Sequence, residues 1–171
     1  MQLIRCTRKL QKEMGLKPSD LFPGGAPNST LGPWHANLIY IARRKCVLFT
    51  NDKTLFNFIA PDVTRVEIRR LHELFHGYLH PVLAQEGFCA RLRERIAAEY
   101  SEVAYAKAVN KSVLGSMTDL AFHYEYHILS AGGVHSAEVP NIISNLNHMP
   151  MGAIKYSYPV EAVKAIYATA T

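Results

Sequence analysis

His72-Glu73-Leu74-Phe75-His76 matches H-E-x-x-H. On a helix, two imidazoles one turn apart can converge on one zinc ion, and the glutamate between them can activate the metal-bound water. A helical wheel at about 100° per residue opposes that reading. Leu71, Phe75, Tyr78 and Val82 centre the buried face, which puts His72 at its margin and turns His76 and His80 toward solvent. Arg65 and Arg69 share the polar flank, and their charges oppose a dication. His80 falls too early for the extended pattern H-E-x-x-H-x-x-G-x-x-H, and no spacing selects Glu99 or Glu102 as third ligand. No cofactor is favoured; zinc on His72 and His76, with Glu73 as base, is the alternative.

A second polar line offers different chemistry. Ser112, Ser116, Asp119, His123 and His127 flank an apolar helical face of Val113, Met117, Leu120, Ala121, Tyr124 and Ile128. Asp119 stands one turn before His123 and could orient its imidazole. Ser112 at a helix start would set backbone N–H groups beside a phosphate. His123 or His127 would then be the general base of a metal-independent phosphodiester cleavage. The plainer reading is an N-cap serine, an ion-paired aspartate and histidines packed on a sheet edge.

The third grouping is cationic. Arg43-Arg44-Lys45 lies between two apolar, β-prone runs at 36–41 and 46–50, and so at the tip of a hairpin. Charged turns keep hairpins soluble; they also clamp phosphates, since guanidinium forks fit phosphate oxygens. Trp34, His35 and Tyr40 could add a stacking surface, although Trp34 reads more simply as core.

The elements that must hold these groups follow from local signals. A strand at 3–6 leads to Thr7, which caps a helix over 8–14 that Gly15 stops. Residues 18–33 carry four prolines and three glycines and read as a long irregular loop. The hairpin follows, then a turn at Asn51-Asp52 and a third strand over 54–59. After Pro61 a 3.6-residue period runs from Val63 to Val82, with Pro81 ending or kinking the helix. A helix at 90–99, a strand around 103–107, a long helix from Asn110 or Ser112 to Gly132-Gly133, and shorter helices at 139–147 and 159–168 complete the chain. The order predicts an α+β fold: one domain over 1–171, its small, mainly antiparallel sheet a β-meander plus an N-terminal and a late strand, its C-terminal half helical.

Composition narrows the classes. A 171-residue chain that is 49% hydrophobic and 19% charged suits one globular domain and needs no metal or disulfide to fold. The net charge of +5 and pI near 9.2 favour an anionic partner, nucleic acid or nucleotide foremost. Cys6, Cys46 and Cys89 are too few and too far apart for a disulfide framework or a thiolate zinc site, and read as reduced cytoplasmic thiols. A nucleophilic Cys6 beside Arg5 and Arg8 is a minor alternative. No run approaches a membrane span, and Arg5, Arg8 and Lys9 interrupt any secretory core.

Ile4-Arg5-Cys6-Thr7, Trp34-His35-Ala36-Asn37-Leu38, Arg43-Arg44-Lys45-Cys46-Val47-Leu48-Phe49-Thr50-Asn51-Asp52 and Asn110-Lys111-Ser112-Val113-Leu114-Gly115-Ser116-Met117 with Asp119 give the chain a resemblance. It resembles a family of small bacterial proteins known only as a domain of unknown function. The resemblance implies no reaction; it points to the hairpin tip and to the segment from Ser112 to Asp119, and implies an ordinary helix where this chain has H-E-x-x-H.

The leading expectation is therefore a phosphate- or nucleic-acid-binding module. Arg5, Arg43, Arg44 and Lys45 would hold phosphates, Asn51, Asn110, Ser112 and Ser116 would shape the pocket, and Asp119, His123 and His127 would supply any catalysis. A zinc hydrolase is the first alternative. A non-enzymatic partner-binding protein, such as a toxin-neutralising or assembly protein, is the second, drawing on the Pro/Gly loop and apolar C-terminal helices.

Overall fold

A computed structural model describes residues 1–170. Strand β1 (Gln2–Cys6) runs into helix α1 (Arg8–Met14), which Thr7 opens by accepting the Leu10 N–H and Gly15 closes at φ 75°. The irregular stretch contains one short 3-10 turn, Pro18–Asp20. Strands β2 (Trp34–Ile41), β3 (Arg44–Asn51) and β4 (Asn57–Ala60) follow. Then come α2 (Arg65–Arg69), α3 (Leu71–Gln85), α4 (Ala90–Glu99) and strand β5 (Val103–Lys107). Helices α5 (Lys111–Ser130), α6 (Val139–Asn147) and α7 (Pro159–Thr169) end the chain, with a 3-10 turn, Gly152–Ile154, before α7.

The fold is α+β, and its sheet has the order β4-β3-β2-β1-β5. The antiparallel meander β2-β3-β4 makes its larger part, and β1 lies parallel to both β2 and β5. No helix among the described residues is long and apolar enough to cross a membrane.

Register decides which side chains meet. Trp34 stands opposite Asn51, Ala36 opposite Phe49, and Phe49 opposite Phe58, so strand alternation puts Trp34, Phe49 and Phe58 on one face. Phe75 of α3 packs into them at ring distances of 5.2, 5.3 and 5.7 Å. The Trp34 indole N–H donates to the Tyr100 hydroxyl at 3.0 Å, so the one tryptophan is core with its polar atom satisfied. Burying each such ring stabilises the fold by roughly 1.5–3 kcal/mol.

The opposite face is polar in one row. His35 faces Thr50 across the β2–β3 ladder, Thr50 faces Asn57 across β3–β4, and Arg5 lies beside His35 on β1. Helix α5 covers this face, and its Tyr124 hydroxyl donates to Asn57 Oδ1 at 2.6 Å. Asn147 at the end of α6 accepts the Asn57 N–H at 2.9 Å and donates to the Asn57 carbonyl at 2.7 Å.

Four local expectations are corrected. The hairpin turn is the two-residue Ala42-Arg43, both at positive φ (48° and 65°), the twist a tight hairpin demands. Arg44 and Lys45 thus belong to β3 and point to opposite faces, so no three-cation tip exists. The third strand begins at Asn57, not Thr54, because Asn51 Oδ1 accepts from the N–H groups of Lys53 and Thr54 and from the Thr54 hydroxyl, holding 51–54 in a turn. The single helix expected over 63–82 is broken at Arg70 (φ −104°, ψ 48°), and α2 opens with a Thr64–Glu67 capping box. Pro81 sits inside α3, where the carbonyl that loses its partner belongs to Gly77, an exposed residue that water can reach.

Candidate functional site

Helix α5 carries most of the chemistry-bearing residues, and it opens at the first of the two caps the sequence offers. Asn110, not Ser112, is the N-cap: its Oδ1 accepts from Ser112 N–H at 3.1 Å and Val113 N–H at 3.2 Å. The Ser112 N–H is therefore spent on the cap, and its side chain is exposed on the first turn. Farther along, Ser116, Asp119 and His123 line one wall of a hollow of about 460 Å³, closed on the other side by residues 149–153. None of the three side chains makes a hydrogen bond or ion pair among the described residues. Asp119 does not hold the His123 ring; that imidazole instead lies nearly parallel to His127, 6.2 Å away. His127, one turn on, is outside the hollow.

Phe122 lines the hollow and is 71% exposed, whereas the ring of Tyr156, 76% exposed, lies near Gly152 but is not part of the lining. Tyr126 and Leu129 continue the apolar surface along the outer side of α5. These rings leave apolar surface exposed along one helix edge. The hollow itself has no lysine or arginine in its lining.

Beneath α5 the polar row holds a second, buried grouping. His35 is fully buried, and its Nδ1 lies 2.6 Å from Asp52 Oδ1. The other carboxylate oxygen of Asp52 accepts from Arg5 at 2.9 Å. Arg5 is thus an internal counter-ion and not a waiting phosphate ligand. His35, expected with Trp34 and Tyr40 to offer a stacking surface, is thus no stacking residue, and its pairing with Asp52 escapes a linear reading because nothing there says that a strand histidine and a turn aspartate are neighbours.

The expected phosphate clamp is dispersed. Arg44 pairs with Asp62 at 3.5 Å, and His135 reaches the same carboxylate at 3.0 Å. Lys45 bonds Glu13 of α1, a contact that holds the Glu13 carboxyl below its ordinary range. Arg43 alone of the three makes no ion pair among the described residues. Asn51 is fully buried and binds Leu31 O and Pro33 O, anchoring the Pro/Gly loop. Arg44 and Asn51 stand at opposite ends of β3, about 23 Å apart at about 3.3 Å per residue, and Arg43 lies beyond Arg44 in the turn. They do not share a cleft.

His72 and His76 do share one, a hollow of about 340 Å³ with Tyr100 and Tyr105. His76 is half-buried, contrary to the wheel, because its ring packs near Phe75 and Tyr100. Burial, then His80, lowers its pKa, so the ring is neutral near pH 7. His72 is committed elsewhere. The Tyr105 hydroxyl accepts the His72 backbone N–H at 3.1 Å and so turns its own hydrogen toward His72 Nδ1, 3.3 Å away. Burial pushes the Tyr105 phenol up to about 12, which keeps that hydrogen in place. His72 Nε2 lies 3.7 Å from the motif glutamate, while Glu73 itself is held by Arg70 at 2.6 Å. No group of three or more His, Cys, Asp or Glu able to hold a metal ion occurs among the described residues. Cys6 is buried and its thiol is pushed up by desolvation, the reverse of what a nucleophile needs.

A family match runs over residues 3–162 and takes in every residue of the α5 hollow and of the buried row. The chain belongs to the domain of unknown function DUF6933. No curated protein and no solved structure matches it. Within this DUF6933 chain, three of the segments that carried the resemblance, those containing Arg5, His35 and Asp52, meet in the buried row. The fourth supplies Ser116 and Asp119 of the hollow.

Proposed function

We propose that the protein is a nucleotide- or single-stranded nucleic-acid-binding module that recognises the base through the α5 hollow. The observation that carries this reading is the set of three unspent polar side chains, Ser116, Asp119 and His123, on one wall of a hollow that the exposed ring of Phe122 also lines. A volume of about 460 Å³ lies within the roughly 300–1,000 Å³ of small-ligand sites. Bases stack on aromatic rings, and each stack is worth about 1–3 kcal/mol. The Asp119 carboxylate accepts from an exocyclic amine or ring N–H, and the Ser116 hydroxyl and His123 ring donate to or accept from the remaining base edge. The net charge of +5 draws anionic chains toward the surface without fixing where they sit.

Cleavage asks for a second proton-transfer group across from His123, and the facing wall of Met, Pro, Met, Gly and Ala at 149–153 has none. Binding without turnover is thus the function this geometry supports. Fluorescence anisotropy with short labelled RNA and single-stranded DNA, alongside calorimetry with free nucleosides, tests it. Binding should depend only shallowly on salt, because the lining makes no phosphate contact. Phe122→Ala should weaken it about tenfold. Absence of any binding by the unmodified protein at low salt ends the proposal.

A further inference from the structure

Two fully buried polar atoms on the sheet face under α5 have no partner: His35 Nε2 and Thr50 Oγ1. The residues are direct cross-strand partners on β2 and β3, so their side chains stand next to one another on the same face. Native interiors leave only a few such atoms unmet, and two adjacent ones point to a shared occupant. We infer that an ordered water molecule is bound between His35 and Thr50 beneath α5.

The chemistry of the site selects that occupant. His35 Nδ1 is committed to Asp52 Oδ1 at 2.6 Å; a carboxylate accepts, so Nδ1 carries the hydrogen and Nε2 is the ring atom left to find a partner. The Thr50 hydroxyl both donates and accepts. Water meets the two needs at once. A cation would find Asp52 already taken by Arg5 and His35, and an anion would find no donor beyond one hydroxyl. The next residue in the row cannot serve instead: Asn57 is occupied by Tyr124, Leu55 and Asn147. Both residues are fully buried, and neither lines the hollows beside α5, α3 or α4. Two polar partners are enough to hold a buried water.

The test compares the unmodified protein with Thr50→Val, which keeps the shape and removes the hydroxyl. Oxygen-17 relaxation dispersion of the solvent counts long-lived internal waters, and the unmodified protein should hold one more than the variant. A crystal structure of the unmodified protein should place that water within hydrogen-bonding distance of both atoms. Equal counts in the two proteins would overturn the inference, as would a direct bond between Nε2 and Oγ1 in the crystal. Should Thr50→Val fail to fold, the crystal structure of the unmodified protein decides alone.

Discussion

His123, Asp119 and Ser116 on the outer edge of α5 repeat the residue types that His35, Asp52 and Thr50 place beneath it. The two sets behave differently. Below α5 the imidazole is clamped by a carboxylate that is itself held by Arg5, and the histidine is fully buried. On the edge, the same three groups touch no polar partner and open into a hollow. A buried polar group must be satisfied internally or cost free energy, whereas an exposed one can wait for a ligand. Stability should therefore depend on the inner set and binding on the outer one.

Removing the aspartates separates them most sharply. Asp52→Ala leaves Arg5 and the buried His35 without their common acceptor and should cost about 3 kcal/mol in urea unfolding. Asp119→Ala should stay within about 0.5 kcal/mol of the unmodified protein. Similar losses for both would erase the distinction.

The tyrosines of α5 offer a milder version. Tyr124→Phe removes the donor to buried Asn57 Oδ1 and should cost about 1–2 kcal/mol, whereas Tyr126, 62% exposed, should accept the same change silently. Alkali probes the same contact. Burial raises the phenols of Tyr100 and Tyr124 well above 10.0, so the folded state resists their ionisation while the unfolded chain does not. Their contribution is complete below pH 10 and is lost as pH rises beyond it, because the unfolded state then releases protons that the folded state keeps. Urea midpoints should fall as pH passes 10, and less steeply in Tyr124→Phe; parallel slopes would remove Tyr124 from the account.

The smallest effects belong to the outer set. His123→Ala should leave the urea midpoint unchanged within about 0.5 kcal/mol while lowering base affinity several-fold in the anisotropy titration. A variant that binds as well as the unmodified protein takes His123 out of the site.

Much of this was legible in the chain. Thr7 and Gly15 framed α1, the apolar period framed α5, and the helices at 90–99 and 139–147 lie where local signals put them. The polar line Ser116–Asp119–His123 was legible too, because helical spacing is a local property. The hairpin was less so. Ala42-Arg43 lacks the Asn-Gly signature of a two-residue turn, so Arg44 and Lys45 read as loop although they are strand. Had that turn been recognised, the antiparallel register would have set His35 opposite Thr50.

The amino-acid order alone determined the α+β class, the helix caps and the residue types available on each face, since these rest on contacts within a few positions. Only the folded chain decided which of those residues are spent. Arg5 and Asp52 are forty-seven positions apart, and Lys45 and Glu13 thirty-two, before folding joins them. An ion pair forms over ångströms, not along the sequence, and so Arg5, Arg44 and Lys45, which looked free, turned out to be paired while the polar edge of α5 was left open.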